Sequence, residues 1–482
     1  MLNVRPVVHL MGLLACFMSV LMMIPALTDV AFHDGEWREF VFIAMLTGFL
    51  GTAAAVATWP KEPIQLTLKQ AFLMTFLGWI VVSLLAAIPF LGHPGVGIAD
   101  AVFESVSGIT TTGSTVLTGL DHLPPGVLLW RALLQWLGGI GIIAMAILML
   151  PLLRVGGMQL FKIESSHTSE KFSTSVFGMV MQLLAIYAGL TALCGFCYYG
   201  LGMNGFDAIT HAMTTLSTGG YSTHDASFGY FDSLALQWVA TLFMISGSVP
   251  FFLYIKAMHT GPRPMFTDQQ VRGFLGFLAA VSLGLTLWLI VTRGTHWFEA
   301  LTTTAFHVTS VVTTTGFVAD DYTLWGTGAV GVFLALMYIG GCSGSTAGAI
   351  KIYRHQIIYM LVRAHVKRLF SPNRVITLTY NGAPVPQDVP YSILAFLAVF
   401  VATIAVFTVW LSFFGLDVLT AYSATVTAIT NVGPGLGPII GPAGNFQPLH
   451  DGAKLVLALA MLAGRLEVLA LLVVFDGDFW RF

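Results

Sequence analysis

Apolar residues along this chain come in runs of two lengths. Ten runs, near 7–27, 40–58, 68–91, 127–151, 176–200, 233–257, 273–292, 327–359, 390–414 and 452–475, are long enough to cross a bilayer, which takes about 20 mostly apolar residues. Between the third and fourth, fifth and sixth, seventh and eighth, and ninth and tenth lies a half-length segment ending in small polar residues and glycine. The four tails are Thr110-Thr111-Thr112-Gly113, Ser217-Thr218-Gly219-Gly220, Thr313-Thr314-Thr315-Gly316 and Thr430-Asn431-Val432-Gly433. A gapless alignment on the last glycine also matches the segments beginning at Phe103, Thr210, Phe306 and Ser423; the choice of Gly220 over Gly219 in the second tail rests on that alignment. The pattern predicts an all-α polytopic membrane protein. Two N-terminal helices (1–65) precede four helix–half-helix–helix repeats at 66–175, 176–272, 273–388 and 389–482, arranged around one central pore.

Composition agrees with a membrane as solvent. Of 482 residues 56% are hydrophobic and 9% charged, against roughly a quarter charged in soluble domains. The net charge of −2 gives no hint of a nucleic-acid partner. Cys194-Gly-Phe-Cys197 lacks a second ligand pair, and Cys16 and Cys342 also fall in apolar or Gly-rich stretches, so no disulfide framework is expected. The first run is read as a retained helix, since no small-residue cleavage site follows it. With the N-terminus in the cytoplasm, that side receives Arg5, Lys61, Lys69, Arg154, Lys162, Lys171, Lys256, Arg263, Arg272, Lys351, Arg354, Arg363, Lys367, Arg368, Arg374 and Arg481. The outer side receives only Arg38, Arg131, Arg293 and Lys454, and Arg465 stays inside a helix. This positive-inside bias puts both termini in the cytoplasm and all four half-segments on the outer face. Re-entrant backbone is tolerated at that depth only when buried in protein or lining water.

Four re-entrant half-helices, each with a Thr/Gly tail, have the ingredients of a cation filter. Carbonyl and hydroxyl oxygens replace an ion's water, and four helix C-termini add partial negative charge. One such tail alone would read as a helix end with its hydroxyls bonded back to carbonyls; four in parallel read as a filter. The fourth tail departs most from the others, which suggests fewer well-defined ion sites than strict fourfold symmetry gives. The eighth run is too long and is interrupted by Gly340, Gly341, Ser343, Gly344, Ser345, Thr346 and Gly348, ahead of Lys351. So many glycines make a poor helix interior and suit a rearranging loop, with close helix packing as the alternative. Arg465 is costly at mid-membrane and is expected to face the pore, with an ion pair to a carboxylate on another helix as the alternative, while Glu467, two positions on, points elsewhere. Asp100, Asp207, Glu299 and Asp417 are expected to stabilise the half-helices as N-caps or first-turn charges, with concentration of cations at the outer mouth as a secondary role. Glu104, His211 and His307 share one alignment column and are read as packing or hydrogen-bonding positions.

Taken together, the two leading helices, the four pore units, one glycine per tail, Gly340–Lys351 and Gly464–Glu467 resemble the TrkH family of potassium transporters, within the Trk, Ktr and HKT superfamily. The resemblance spans nearly the whole chain and implies potassium as the transported ion, contacted by the four tails. It also implies an intramembrane gating loop, a pore arginine, a homodimer in the bacterial inner membrane and a cytosolic TrkA-type nucleotide-binding partner. Serine in place of the first glycine is associated with sodium permeation in the superfamily; here that residue is Gly113. Channel-like flow and proton-coupled symport both stay open. A polytopic membrane enzyme is the rival class, but no catalytic motif of known spacing occurs. An inverted-repeat carrier would have oppositely oriented halves, whereas these repeats run parallel.

Overall fold

The structure, a computed structural model, describes residues 3–62, 64, 66–149 and 176–481. Helices α1 (Arg5–Ala31) and α2 (Trp37–Ala57) form an antiparallel hairpin. Their backbones touch because Gly12 and Gly51 face each other: a Cβ on Gly12 would lie 2.7 Å from the Gly51 carbonyl, the close approach that small residues permit between membrane helices. This hairpin packs on repeat 1 through α1.

Repeat 1 comprises α3 (Leu68–Ala87), α4 (Ile98–Ile109) and α5 (Pro125–Met149). Repeat 2 comprises α6 (Val176–Gly200), α7 (Gly205–Leu216), α8 (Leu234–Ser248) and α9 (Phe251–Thr260), after which α10 (Arg263–Thr267) leads on. Repeat 3 has α11 (Gln269–Arg293), α12 (Trp297–Val312), α13 (Thr327–Leu336) and α14 (Ile352–Phe370); repeat 4 has α15 (Asp388–Ser412), α16 (Val418–Thr430), α17 (Asp451–Arg465), α18 (Val468–Phe475) and α19 (Gly477–Arg481). The half-helices α4, α7, α12 and α16 have 12, 12, 16 and 13 residues. At about 1.5 Å per residue none of them crosses a bilayer core of about 30 Å. They form the inside of the bundle, nearly every α16 side chain from Thr420 to Thr430 being buried.

The expected ten continuous spans need correction. Among the described residues, seven helices are long and apolar enough to cross, or eight if α8 and α9 count as one span. That pair bends by 90° at Val249-Pro250, because proline breaks the hydrogen-bond ladder and restricts the residue before it. The run at 327–359 is broken by its glycine segment as expected, and the run at 452–475 breaks at Leu466-Glu467, with Glu467 at φ 55°. Arg465 is therefore the last residue of α17, at its C-terminal end and not in the interior of a continuous span. The 153–175 loop, with Arg154, Lys162 and Lys171, lies outside the described residues.

Candidate functional site

All four tails repeat one backbone pattern. The second residue of each is left-handed, at φ 54° for Thr111, 52° for Thr218, 58° for Thr314 and 56° for Asn431. The glycine two positions on is left-handed too, at 82° for Gly113, 76° for Gly220, 78° for Gly316 and 110° for Gly433. Gly219 is not left-handed, so the backbone agrees with the gapless alignment in matching Gly220 to the other three. A β-branched threonine at positive φ is strained, and such strain persists where the surroundings impose it.

The surroundings here are the neighbouring tails. A Cβ on Gly113 would lie 2.2 Å from the Gly219 carbonyl oxygen, one on Gly220 would lie 1.7 Å from that of Thr315, and one on Gly316 would lie 2.1 Å from that of Val432. A Cβ on Gly433 would lie 2.8 Å from the Thr112 carbonyl, which returns to the first repeat. Repeat 1 meets 2, 2 meets 3, 3 meets 4 and 4 meets 1. Glycine is needed twice over at each corner, for its φ and for the absent side chain. Side chains tie the ring as well: Ser114 donates to the Gly433 carbonyl at 2.7 Å, and Asn431 donates to the Thr112 hydroxyl at 2.9 Å.

Behind the ring, each half-helix reaches forward to the strand that follows its own tail. Glu104 accepts the Val116 N–H at 3.0 Å, His307 Nε2 accepts those of Ala319 and Asp320 at 3.1 Å, and Ser423 accepts that of Leu436 at 3.1 Å. His211 Nε2 meets the Ser222 hydroxyl at 3.0 Å. One structural task is thus met by a carboxylate, two imidazoles and a hydroxyl, and Glu104, His211 and His307 are hydrogen-bonding positions. Glu104 also pairs with Arg131 at 2.8 Å. Arg131, 1% exposed, donates further to the Ser222 carbonyl at 2.7 Å and stacks over the Tyr221 ring at 4.1 Å.

On the side of the ring away from the 340–351 loop, all four glycines line one cavity of about 80 Å³, together with Arg131, Tyr221 and His224. At its rim His224 bridges Asp121 of repeat 1 at 2.5 Å and Asp207 of repeat 2 at 3.1 Å, with its ring stacked on Tyr230 at 3.5 Å. Burial disfavours the imidazolium, but hydrogen bonds to the two carboxylates outweigh it, and the His224 pKa is raised. The hydrogen bond from His224 in turn lowers that of Asp121.

Below the ring lies the glycine-rich segment. Parallel pairing of β1 (Ile339–Gly340) with β2 (Ile350–Lys351) pinches its two ends together, making a closed loop. The Gly348 N–H donates to the Thr314 hydroxyl at 2.7 Å, and the Ala349 N–H to the Thr430 carbonyl at 2.9 Å. Thr346 receives the Thr218 hydroxyl at 3.1 Å and itself donates to the Leu216 and Gly247 carbonyls at 3.1 and 3.0 Å. The loop is therefore fastened to the undersides of repeats 2, 3 and 4. Arg465 Nη1 donates to the Thr346 carbonyl at 3.0 Å. Its Nε and Nη2, like the Thr111 hydroxyl, have no hydrogen-bond partner among the described residues.

This arrangement meets its counterpart in a known family. The TrkH family profile, described as a cation transport protein, matches residues 39–481. The chain belongs to the TrkH family. Over 99% of its length it is 44% identical to the Trk system potassium uptake protein TrkI of Halomonas elongata, covering 97% of that protein. It is 34% identical to the Trk system potassium uptake protein TrkH of Escherichia coli K12, each chain covered in full. The crystal structure of the potassium transporter TrkH from Vibrio parahaemolyticus superposes with a TM-score of 0.91, at 33% identity and full coverage of both chains.

Within this TrkH-family fold the remaining expectations sort unevenly. Asp417 is the N-cap of α16, accepting the Thr420 N–H at 3.1 Å. Asp100, Asp207 and Glu299 are the first-turn acids of α4, α7 and α12, the other form of the expectation; Asp100 accepts the Gly97 N–H at 3.1 Å, α7 is capped by Asn204, and Glu299 is exposed. Lys351 reaches back from the loop's end to the Ala347 carbonyl. Glu467 pairs with Arg354 at 2.7 Å and not with Arg465. Arg131, Arg354 and Lys454 are buried as well as Arg465, each of the three with a carboxylate partner. Sequence reasoning missed Gln135, one turn beyond Arg131, which reaches the second tail directly; a polar residue one helical turn from an arginine inside an apolar run was the available sign.

Proposed function

We propose that this protein is the membrane subunit of a Trk-type potassium uptake system in the bacterial inner membrane, with both termini in the cytoplasm. Potassium enters the outer cavity, sheds water and is held by oxygens of the four tails, Thr110–Gly113, Ser217–Gly220, Thr313–Gly316 and Thr430–Gly433. The chain acts as four pore repeats with two added helices, dividing near residues 65, 175, 272 and 388. The observation that carries this reading is the closed ring in which each glycine abuts the next repeat's carbonyl. Neutral oxygens and four helix ends attract a cation without a fixed carboxylate that would hold it too tightly.

The 340–351 loop and Arg465 act as the gate. The loop's hydrogen bonds to Thr314, Thr430 and Leu216 block exit from the ring, and Arg465, tied to it at Thr346, adds a positive charge in the cation's way. Opening requires the loop to leave these partners, which its glycines make inexpensive in backbone strain. The protein works as a homodimer with a TrkA-type nucleotide-binding ring beneath it, a reading supported by the exposed basic residues Arg363 and Arg368 on α14. Growth of a potassium-uptake-deficient bacterium on limiting potassium tests the reading. The intact gene together with its regulatory partner restores growth, and failure of that pair to restore it, with the protein present in the membrane, contradicts the reading.

A further inference from the structure

Only the second tail has a double glycine, and its two glycines answer different needs. Gly220 is left-handed and abuts the Thr315 carbonyl. Gly219 is not left-handed, so its conformation does not call for glycine. Space does: a Cβ there would lie 2.4 Å from Cδ and Oε1 of Gln135 and 2.8 Å from its Nε2. Gln135 projects from α5 of repeat 1 and is fully buried. Its Nε2 donates to the Gly219 carbonyl at 2.6 Å, and its Oε1 accepts the Tyr221 N–H at 3.0 Å. One side-chain amide thus holds the backbone on both sides of Gly220. One turn earlier on the same helix face, Arg131 holds a carbonyl three residues further along the chain, that of Ser222.

The other tails do this differently. They carry Thr112, Thr315 and Val432 where the second has Gly219, and among the described residues no donor reaches the carbonyls of those three. A common register for the helices after the tails comes from Gly138, Gly247 and Gly464, where a Cβ would lie 1.9, 2.8 and 1.9 Å from the carbonyls of Ile109, Leu216 and Ile429. In that register Gln135 corresponds to Met244 and Met461, both fully buried. The boundary between repeats 1 and 2 therefore pairs glutamine with glycine, where the same register pairs methionine with threonine between repeats 2 and 3 and between repeats 4 and 1.

We propose that Gln135 is a positioning residue for ion selectivity. It substitutes for the side chain that the second tail lacks, clamping a Gly-Gly strand that would otherwise be the most flexible quarter of the ring. It also occupies one lone pair of a ring carbonyl, making that oxygen a weaker cation ligand than its three counterparts. The proposal rests on the pore reading given above.

The test uses the full-length protein with Gln135→Met, Gly219→Thr and the double variant, reading potassium and sodium flux in liposomes and melting temperature in detergent. Gln135→Met keeps the volume and loses both hydrogen bonds; the potassium-over-sodium flux ratio falls roughly tenfold while potassium still passes. Gly219→Thr displaces the amide and lowers the ratio similarly. The double variant, which installs the methionine–threonine pair of the other boundaries, recovers most of the ratio and loses less melting temperature than the two single losses combined. An unchanged ratio in Gln135→Met, or losses that simply add in the double variant, overturns the inference and leaves the pore reading standing. Wild-type protein that passes no cation, with its partner supplied, contradicts the pore reading and this inference with it.

Discussion

Gly113, Gly220, Gly316 and Gly433 each combine a left-handed backbone with a carbonyl pressed against the place where a side chain would begin. That pairing was legible in part: four glycines at corresponding places announce a backbone requirement, but not that the pressing atom belongs to the next repeat. The partners behind the ring were less legible. Arg131 reads in sequence as a base at the outer end of a span, yet it is buried against Glu104 and reaches the second tail. Positive-inside counting treats every arginine alike and is blind to a carboxylate 27 residues earlier that happens to face it. Breaking a buried pair by removing one member leaves an uncompensated charge and costs about 3–5 kcal/mol. Arg131→Met should therefore lower thermal stability by an amount in that range. Adding Glu104→Gln should restore part of it, since the residual buried charge is then gone, and chemical or thermal unfolding in detergent measures both.

The half-helices were the most legible elements, because an apolar run of 12 to 16 residues is too short to span and its repetition fixes its place between spans. Breaks in the following helices were less so. Hydropathy sums along the chain and does not register direction, so Val249-Pro250 and Leu466-Glu467 pass as continuous apolar runs although the first turns the helix by 90°. The loop at 340–351 was visible from its glycines, but its fastening to three repeats was not. A Cβ on Gly348 would lie 2.4 Å from the Thr430 carbonyl; Gly348→Ala should push the loop off the ring and raise basal potassium flux several-fold, the direction being the informative part. The loops around His224 offer a second element-scale test. Because the His224 pKa is raised, its bridge stabilises fully below the ordinary histidine value of about 6.5 and is lost as pH rises through the raised value. Asp121, lowered, contributes above its ordinary carboxylate range and loses its contribution as pH falls through the lowered value. The melting-temperature difference between wild type and His224→Asn should thus be largest in mildly acidic buffer and vanish toward alkaline pH; a pH-independent difference would mean that the ring's charge contributes nothing.

At the scale of the molecule, the fold is a TrkH-family bundle whose parallel repeats place four half-helix ends and four tails against one another. Parallel orientation followed from the even number of spanning passages between tails, and the closing of the ring followed only from geometry. The cavity lined by the four glycines, the ring and the 340–351 loop stack in that order, the order in which the proposed path meets filter and gate. The most direct test is potassium and sodium flux into liposomes holding this chain, alone and with the proposed regulatory partner, beside Gly113→Ser. Potassium-selective flux is expected in the wild type and loss of the preference in the variant, because a serine Cβ at φ 82° meets the Gly219 carbonyl. Equal preference in the two proteins, or no cation flux from a folded wild type with its partner present, would contradict it.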